Sequence, residues 1–223
     1  PARLAVLAGD SLSQAFPRRL LPDRFVWLNQ GISGETSQGL LDRLDRFDAV
    51  RAEAIFVAIG INDALRGISD DTILENHRQI IRHLRRNHPR ARIVIQSLLP
   101  HRAEAAIWEG RNRLRRAPNA RIRAINVRLA QLARSEGAIF LNLQPMFVDA
   151  TGKLAADLTT DGLHLSDRGY RVWRAAIDTF AQLYLDPAAS RAAANRSKPR
   201  RSSDLTNPES DKTSSEQPCL LYT

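Results

Sequence analysis

Four short stretches of this 223-residue chain hold residue types that could do chemistry at the spacing chemistry needs. The first is Gly9-Asp10-Ser11, where a serine hydroxyl follows an apolar run. The last is Asp161-Gly162-Leu163-His164. Of the five histidines only His164 has an acid three residues before it, a reach at which a carboxylate can accept the imidazole Nδ1–H. A serine nucleophile needs such a base, and the base needs an orienting acid. Between them lie Gly31-Ile32-Ser33-Gly34, where glycine lets a backbone N–H face a ligand closely, and Gly60-Ile61-Asn62-Asp63, where the Asn62 amide can donate to an oxyanion. Each stretch alone has a plain structural reading: a helix cap, a turn, a turn residue ahead of Ala64, a structural loop. Together they supply a nucleophile, a base, an orienter and two oxyanion donors, which is the equipment of acyl transfer.

The elements that must position these residues follow from the apolar runs. Leu4 to Ala8, Val26 to Leu28, Ala54 to Ile59, Ile93 to Leu99 and Ala138 to Leu143 read as five strands. Helical patterns separate them. Thr36 opens one carrying Leu40, Leu41, Leu44 and Phe47. Ser69, Asp70 and Asp71 open another over Ile73 to Leu84, with Arg85 and Arg86 in its last turn and Pro89 beyond. Pro118-Asn119 precedes Ile122, Ile125, Leu129 and Leu132, and Gly137 stops that helix. Ser166 and Asp167 open the last, with Val172, Trp173, Ala176, Ile177, Phe180 and Leu183 on its inner side and Pro187 at its end. Alternation of this kind predicts an α/β fold, a parallel sheet covered on both faces. Right-handed crossovers then bring every strand-to-helix loop, and all four stretches, to one edge of the sheet.

Residues 1–186 read as one domain and 187–223 as a disordered polar tail, rich in Ser, Pro, Asn, Arg and Lys. Leu220, Leu221 and Tyr222 interrupt its polarity. The only cysteine, Cys219, lies in that tail, so no intrachain disulfide is possible and a thiol nucleophile in the folded part is excluded. No stretch approaches the roughly 20 apolar residues of a membrane span, and no signal-peptide pattern is present. The chain begins with Pro1 and enters its first strand at once, which leaves an upstream segment and export open; the expectation is a cytoplasmic protein. The net charge of +9 comes mostly from arginines of the folded part. They are spread over several helices with acids between them, a solvated basic surface that favours anionic substrates and not a nucleic-acid face.

The motif set resembles the SGNH hydrolases, the GDSL esterase/lipase family. Gly9-Asp10-Ser11-Leu12-Ser13 looks like the family's first block and Gly34 matches its second. Gly60-Ile61-Asn62-Asp63 matches the third, and Asp161-Gly162-Leu163-His164 the last. The resemblance spans roughly residues 4–184. Through Ile32-Ser33-Gly34-Glu35-Thr36-Ser37 and Asp161 to Ser166 it is nearest to bacterial lysophospholipase/thioesterase and platelet-activating-factor acetylhydrolase-like members. It implies a three-layer α/β/α sandwich of flavodoxin-like type with about five parallel strands.

The expected function is hydrolysis of short-to-medium acyl esters or thioesters. Ser11, His164 and Asp161 form the triad, and the Ser11 N–H, Gly34 N–H and Asn62 amide form the oxyanion hole. No cofactor is expected and no metal, since no His/Cys/Asp cluster has ligand spacing. The expected partner is a small-molecule ester; neither nucleic acid nor stable membrane insertion is expected. Trp108, in the polar Arg-rich segment after Leu99, and Met146 with Phe147 are candidate walls of the substrate site, each with ordinary packing as its other reading. Asp10 and Asp63 read as carboxylates bonded to the backbone of their own loops. The alternatives are a carbohydrate O-acetylesterase using the same triad, and a catalytically idle flavodoxin-like binding module. For the module, Asp161 and His164 would be unexplained.

Overall fold

Alternate residues of the first strand, β1 (Leu4–Gly9), point into two different cores. Val6 and Ala8 join one and Ala5 and Leu7 the other, all with no exposed surface. A strand buried on both faces has no reason to alternate polar and apolar residues, which is why its sequence is a continuous apolar run. In the computed structural model, which describes residues 3–186, four more strands join it: β2 (Val26–Gly31), β3 (Ala54–Ala58), β4 (Arg92–Gln96) and β5 (Ile139–Leu141). They pair parallel throughout, in the order β2-β1-β3-β4-β5. The expected tail 187–223, with Cys219, Leu220–Tyr222 and the Pro187 stop, lies outside the described residues.

Helices cover both faces. α1 (Ser11–Gln14), α6 (Gln144–Phe147) and α7 (Asp167–Tyr184) pack on the side of Ala5, Leu7 and Phe56. α2 (Ser37–Leu41), α3 (Ile61–Leu65), α4 (Asp70–Asn87) and α5 (Asn119–Ser135) pack on the side of Val6, Ile55 and Val57. This division follows from handedness. The chain steps one way from β1 to β2 and the opposite way from β2 onward, so right-handed crossovers place α1 on one face and α2, α4 and α5 on the other.

Local chemistry sets the element ends. The Ser69 hydroxyl accepts the Thr72 N–H at 3.2 Å, with Asp70 and Asp71 in the first turn of α4 and Arg85 and Arg86 in its last, charges that complement the helix dipole. The Ser166 hydroxyl caps α7 through the Gly169 N–H. Trp173 is core, as expected, and its indole N–H donates to Gln96 Oε1 at 2.7 Å.

Some expectations need correction. The helix opened by Thr36 stops at Leu41, and the chain tightens into a 3-10 turn over Leu44–Phe47. Arg43, between the two, turns its guanidinium back to Glu35 and to the Gln30 carbonyl. Leu183 is 55% exposed and lies off the inner face of α7. His77, His83 and His88 lie in or beside an Arg-rich helix, which in the sequence reads as solvated, but His77 and His88 are buried because their faces of α4 and its end meet the core, and His83 is half-buried against Asp48 at 2.8 Å. Strand β2 extends to Gly31, which pairs with Gly9.

That last pairing demands glycine. A Cβ on Gly31 would stand 2.2 Å from the Gln14 backbone nitrogen, and one on Gly9 2.2 Å from the Ala58 carbonyl oxygen. Neither obstacle is a flexible side chain, so the backbone itself would have to move. Overpacking of this kind costs about 1–3 kcal/mol or more. Gly31→Ala is therefore expected to lower the melting temperature by about 5 °C or more, read by thermal unfolding; an unchanged midpoint would mean that α1 is free to shift off the strand.

Candidate active site

The direction of the chain reverses across β1 and β3: from β1 it leads to one edge of the sheet, from β3 to the other. At such a point the loops beyond the strand ends diverge and leave a crevice. Ser11 follows β1 and Asn62 follows β3, so both stand at its rim.

Asp10 is the N-cap of α1, its Oδ1 accepting the Leu12 N–H at 3.0 Å. Ser11 is the first helical residue, so its own N–H has no partner inside the helix. Its Oγ is 3.2 Å from His164 Nε2. His164 Nδ1 is 2.7 Å from Asp161 Oδ2, while Asp161 Oδ1 accepts the N–H groups of Leu163 and His164 at 2.9 and 2.8 Å. Both carboxylate oxygens are thus spent on the loop that carries the histidine. Burial works against the charge on Asp161, but these hydrogen bonds outweigh it and hold its carboxyl below the usual range. A charged acceptor at Nδ1 keeps the proton on that nitrogen and leaves Nε2 to accept from the Ser11 hydroxyl.

The loop is shaped from outside as well. Gly162 has φ +93°, and a Cβ there would stand 2.6 Å from the Ala106 Cα. The Thr159 hydroxyl donates to the His164 carbonyl at 2.5 Å and accepts the Gly162 N–H at 2.8 Å. The Asp161 carbonyl accepts the N–H groups of Ile107 and Trp108 at 2.8 and 3.0 Å. This brings Trp108 edge-on to His164, centroids 6.2 Å apart, with the Arg113 guanidinium 4.8 Å from the indole.

The donor side is built from the two middle stretches. Gly34, at φ +75°, carries the left-handed turn of its loop. Asn62 Nδ2 donates to the Glu35 carbonyl at 3.0 Å, which fixes the amide and uses one of its two N–H groups. The Arg66 guanidinium donates to the Gly34 carbonyl at 2.7 Å. Asp63 differs from expectation: its carboxylate leaves its own loop and accepts the Ser37 N–H at 2.8 Å and the Ser37 hydroxyl at 2.5 Å, with Asn76 donating to that hydroxyl at 2.9 Å. The Asn62 loop is thereby tied to the start of α2. Below it Arg43 and Glu35 form a buried pair at 2.5 Å. Sequence reasoning passed over Ser37, Arg43, Arg66 and Asn76. Their partners lie in other loops, and no spacing in the chain signals them.

The structure brings Ser11, His164, Asp161, Asn62 and Trp108 to one place. It does not bring Met146 and Phe147 there. Phe147 is fully buried in the core beneath α7, and Met146 lies 41% exposed in a groove with Leu141, Phe180 and Leu183. The short turn of α6 after β5 aims both side chains at α7 rather than at the crevice. Among the described residues no group of three His, Cys, Asp or Glu could hold a metal ion, and no helix is long and apolar enough to cross a membrane.

The chain is similar in sequence and in fold to known proteins. The model of the GDSL-like Lipase/Acylhydrolase family matches residues 6–172. The bovine (Bos taurus) platelet-activating factor acetylhydrolase IB subunit alpha1 is 32% identical over 171 residues, 74% of this chain and 69% of that protein. A solved structure from Streptococcus pneumonia, described as a platelet activating factor, superposes with a TM-score of 0.72 at 27% identity, over 81% of this chain and 84% of that one. A GDSL-like lipase from Bacteroides thetaiotaomicron gives 0.68 at 23% identity, over 85% and 89%.

Burial, with Asp63 and Glu35 nearby, pushes the Asp10 carboxyl up to about 7 against the opposing Leu12 hydrogen bond. A raised carboxyl favours the folded state while it is protonated. Its contribution is therefore complete below about pH 4, where the unfolded chain is also protonated, and is lost as pH rises to about 7. Asp10→Asn, which keeps the acceptor but cannot ionise, should gain stability over the wild type between pH 4 and 7. The difference in melting temperature between the two, followed across that range, checks this; a constant difference would mean that Asp10 is ionised throughout.

Proposed function

The chain belongs to the GDSL-like lipase/acylhydrolase family and is an ester hydrolase, and from that premise we propose that it hydrolyses short-to-medium acyl esters or thioesters through a Ser11-His164-Asp161 triad and an acyl-enzyme. The observation that carries this reading is the continuous line from Ser11 Oγ to His164 Nε2 at 3.2 Å and from His164 Nδ1 to Asp161 at 2.7 Å.

In this mechanism Ser11 Oγ forms a bond to the carbonyl carbon as its proton passes to His164 Nε2. Asp161 keeps the ring in place and stabilises the imidazolium. The carbonyl electrons move onto oxygen, where the Ser11 N–H, the Gly34 N–H and the free N–H of Asn62 meet them. The tetrahedral carbon collapses, the bond to the alcohol or thiol breaks, and His164 returns the proton to that leaving group. A water molecule, deprotonated by His164, then attacks the acyl-Ser11 ester. The acid leaves, and Ser11 regains its proton.

Trp108, against His164, is the residue of this fold best placed to wall the leaving-group side. The same triad would serve a carbohydrate O-acetylester, and the substrate panel below separates the two.

Hydrolysis of p-nitrophenyl esters from acetate to palmitate should fall steeply beyond medium chains. Ser11→Ala and His164→Ala should each lower kcat by about a thousandfold or more with folding intact; normal turnover by either purified variant would overturn the triad. A wild type inactive on every aryl ester but active on acetylated sugars would move the reading to the O-acetylesterase. Asn62→Ala should lower kcat by about 10²–10³, the effect of losing one oxyanion donor, with little change in KM. A change confined to KM would remove Asn62 from the oxyanion hole.

A further inference from the structure

Away from the crevice, the segment after β4 walls a second hollow of about 700 Å³, open to solvent. Its apolar surface comes from Leu114, Pro118 and Ala103. Its charged lining is Arg111, Arg115, Arg123 and Lys153 against a single carboxylate, Glu104, and Glu104 is already paired with Lys153. Arg111, Arg115 and Arg123 make no ion pair among the described residues. Elsewhere Arg24, Arg78, Arg121, Arg128 and Arg174 each meet an Asp or Glu of another element or turn.

His101, buried in the wall, does not alter the balance. Burial lowers its pKa, its Nδ1 accepts the Ala103 N–H at 2.9 Å, and its Nε2 is 2.8 Å from the Ala117 carbonyl. It is neutral and fully engaged. Three guanidiniums therefore face one concavity with no protein counterion. Guanidinium groups match the oxygens of a phosphate in geometry as well as charge. The first turn of α5 opens on the same hollow and adds to them. Its N-cap is Pro118, which has no side-chain acceptor, and Asn119 spends its side chain on the His101 N–H and carbonyl.

We propose that this hollow binds a phosphate group, presented either as a free phosphate or as the headgroup of an anionic phospholipid. None of Ser11, Asp161 and His164 lines it, so it is separate from the hydrolytic site. It is nonetheless joined to that site through one stretch of chain. Residues 101–118 form its wall, and the same residues hold the catalytic loop: the Arg102 N–H donates to the Gly162 carbonyl at 2.8 Å, and those of Ile107 and Trp108 to the Asp161 carbonyl.

The test uses the full chain carrying Ser11→Ala, so that binding is read without turnover and stands apart from the esterase reading. Inorganic phosphate is titrated by calorimetry at constant ionic strength, and sedimentation is measured with vesicles of phosphatidylcholine alone or with added phosphatidic acid. Saturable binding to one of these phosphate probes is expected, weakened tenfold or more by Arg115→Glu and by Arg123→Glu. Both are exposed positions, so circular dichroism should be unchanged; Arg111→Gln stands in if either variant misfolds. Saturation by inorganic phosphate identifies a soluble ligand, and binding only to phosphatidic acid vesicles identifies a headgroup. No saturable binding to either probe, or equal binding by the wild type and all charge variants, overturns the proposal.

Discussion

The site depends on one carboxylate. Asp161 uses one oxygen for the His164 ring and the other for two backbone N–H groups of its own turn, while its carbonyl accepts two more from Ile107 and Trp108. A single residue thereby sets the tautomer of the His164 ring, the shape of the loop that carries it, and the attachment of the segment that flanks it. Because Oδ1 and Oδ2 point at different parts of the same turn, the ring cannot rotate without breaking bonds to a charged acceptor, which are among the stronger hydrogen bonds in proteins. Gly162 is the condition for this compact turn, since no side chain fits against Ala106 at that φ.

The opposite wall is held by a different logic. Gly34 and Asn62 sit on two loops that follow non-adjacent strands, β2 and β3, and no regular secondary structure joins them. Polar side chains do so instead: Asp63 to Ser37, Asn62 to the Glu35 carbonyl, Arg66 to the Gly34 carbonyl. Several of these groups are buried, where an unsatisfied partner costs far more than a satisfied one contributes. The network therefore permits one arrangement of the two loops. It also brings Glu35 and Asp63 near Asp10, whose burial is the main reason it resists ionisation, with the two acids adding to the effect.

The basic character of the chain has a structural distribution that its overall charge hides. Several arginines on α4, α5 and α7 are matched by acids on neighbouring elements: Arg121 by Asp70, Arg128 by Asp71, Arg82 by Glu136. Surface pairs of this kind contribute little each; Arg111, Arg115 and Arg123 have no such partner among the described residues, and all three line one hollow.

Sequence alone determined the five strands, their alternation with helices and the four stretches that meet at one edge of the sheet. It could do so because burial on both sheet faces and helical periodicity are written in consecutive residues, and because Asp161 and His164 are three positions apart. It also determined the caps at Ser69 and Ser166 and the core role of Trp173, each a local matter. Only tertiary structure decided which loops face one another. Nothing in the spacing of Asp63 and Ser37, or of Glu35 and Arg43, foretells their contact, and the direction in which α6 leaves β5 sends Met146 and Phe147 to α7 while the Ile107 and Trp108 amides carry Trp108 to His164. The burial of His77 and His101 was hidden for the same reason. A side chain's polarity is read from the chain, but what it packs against depends on elements that arrive from elsewhere in the sequence.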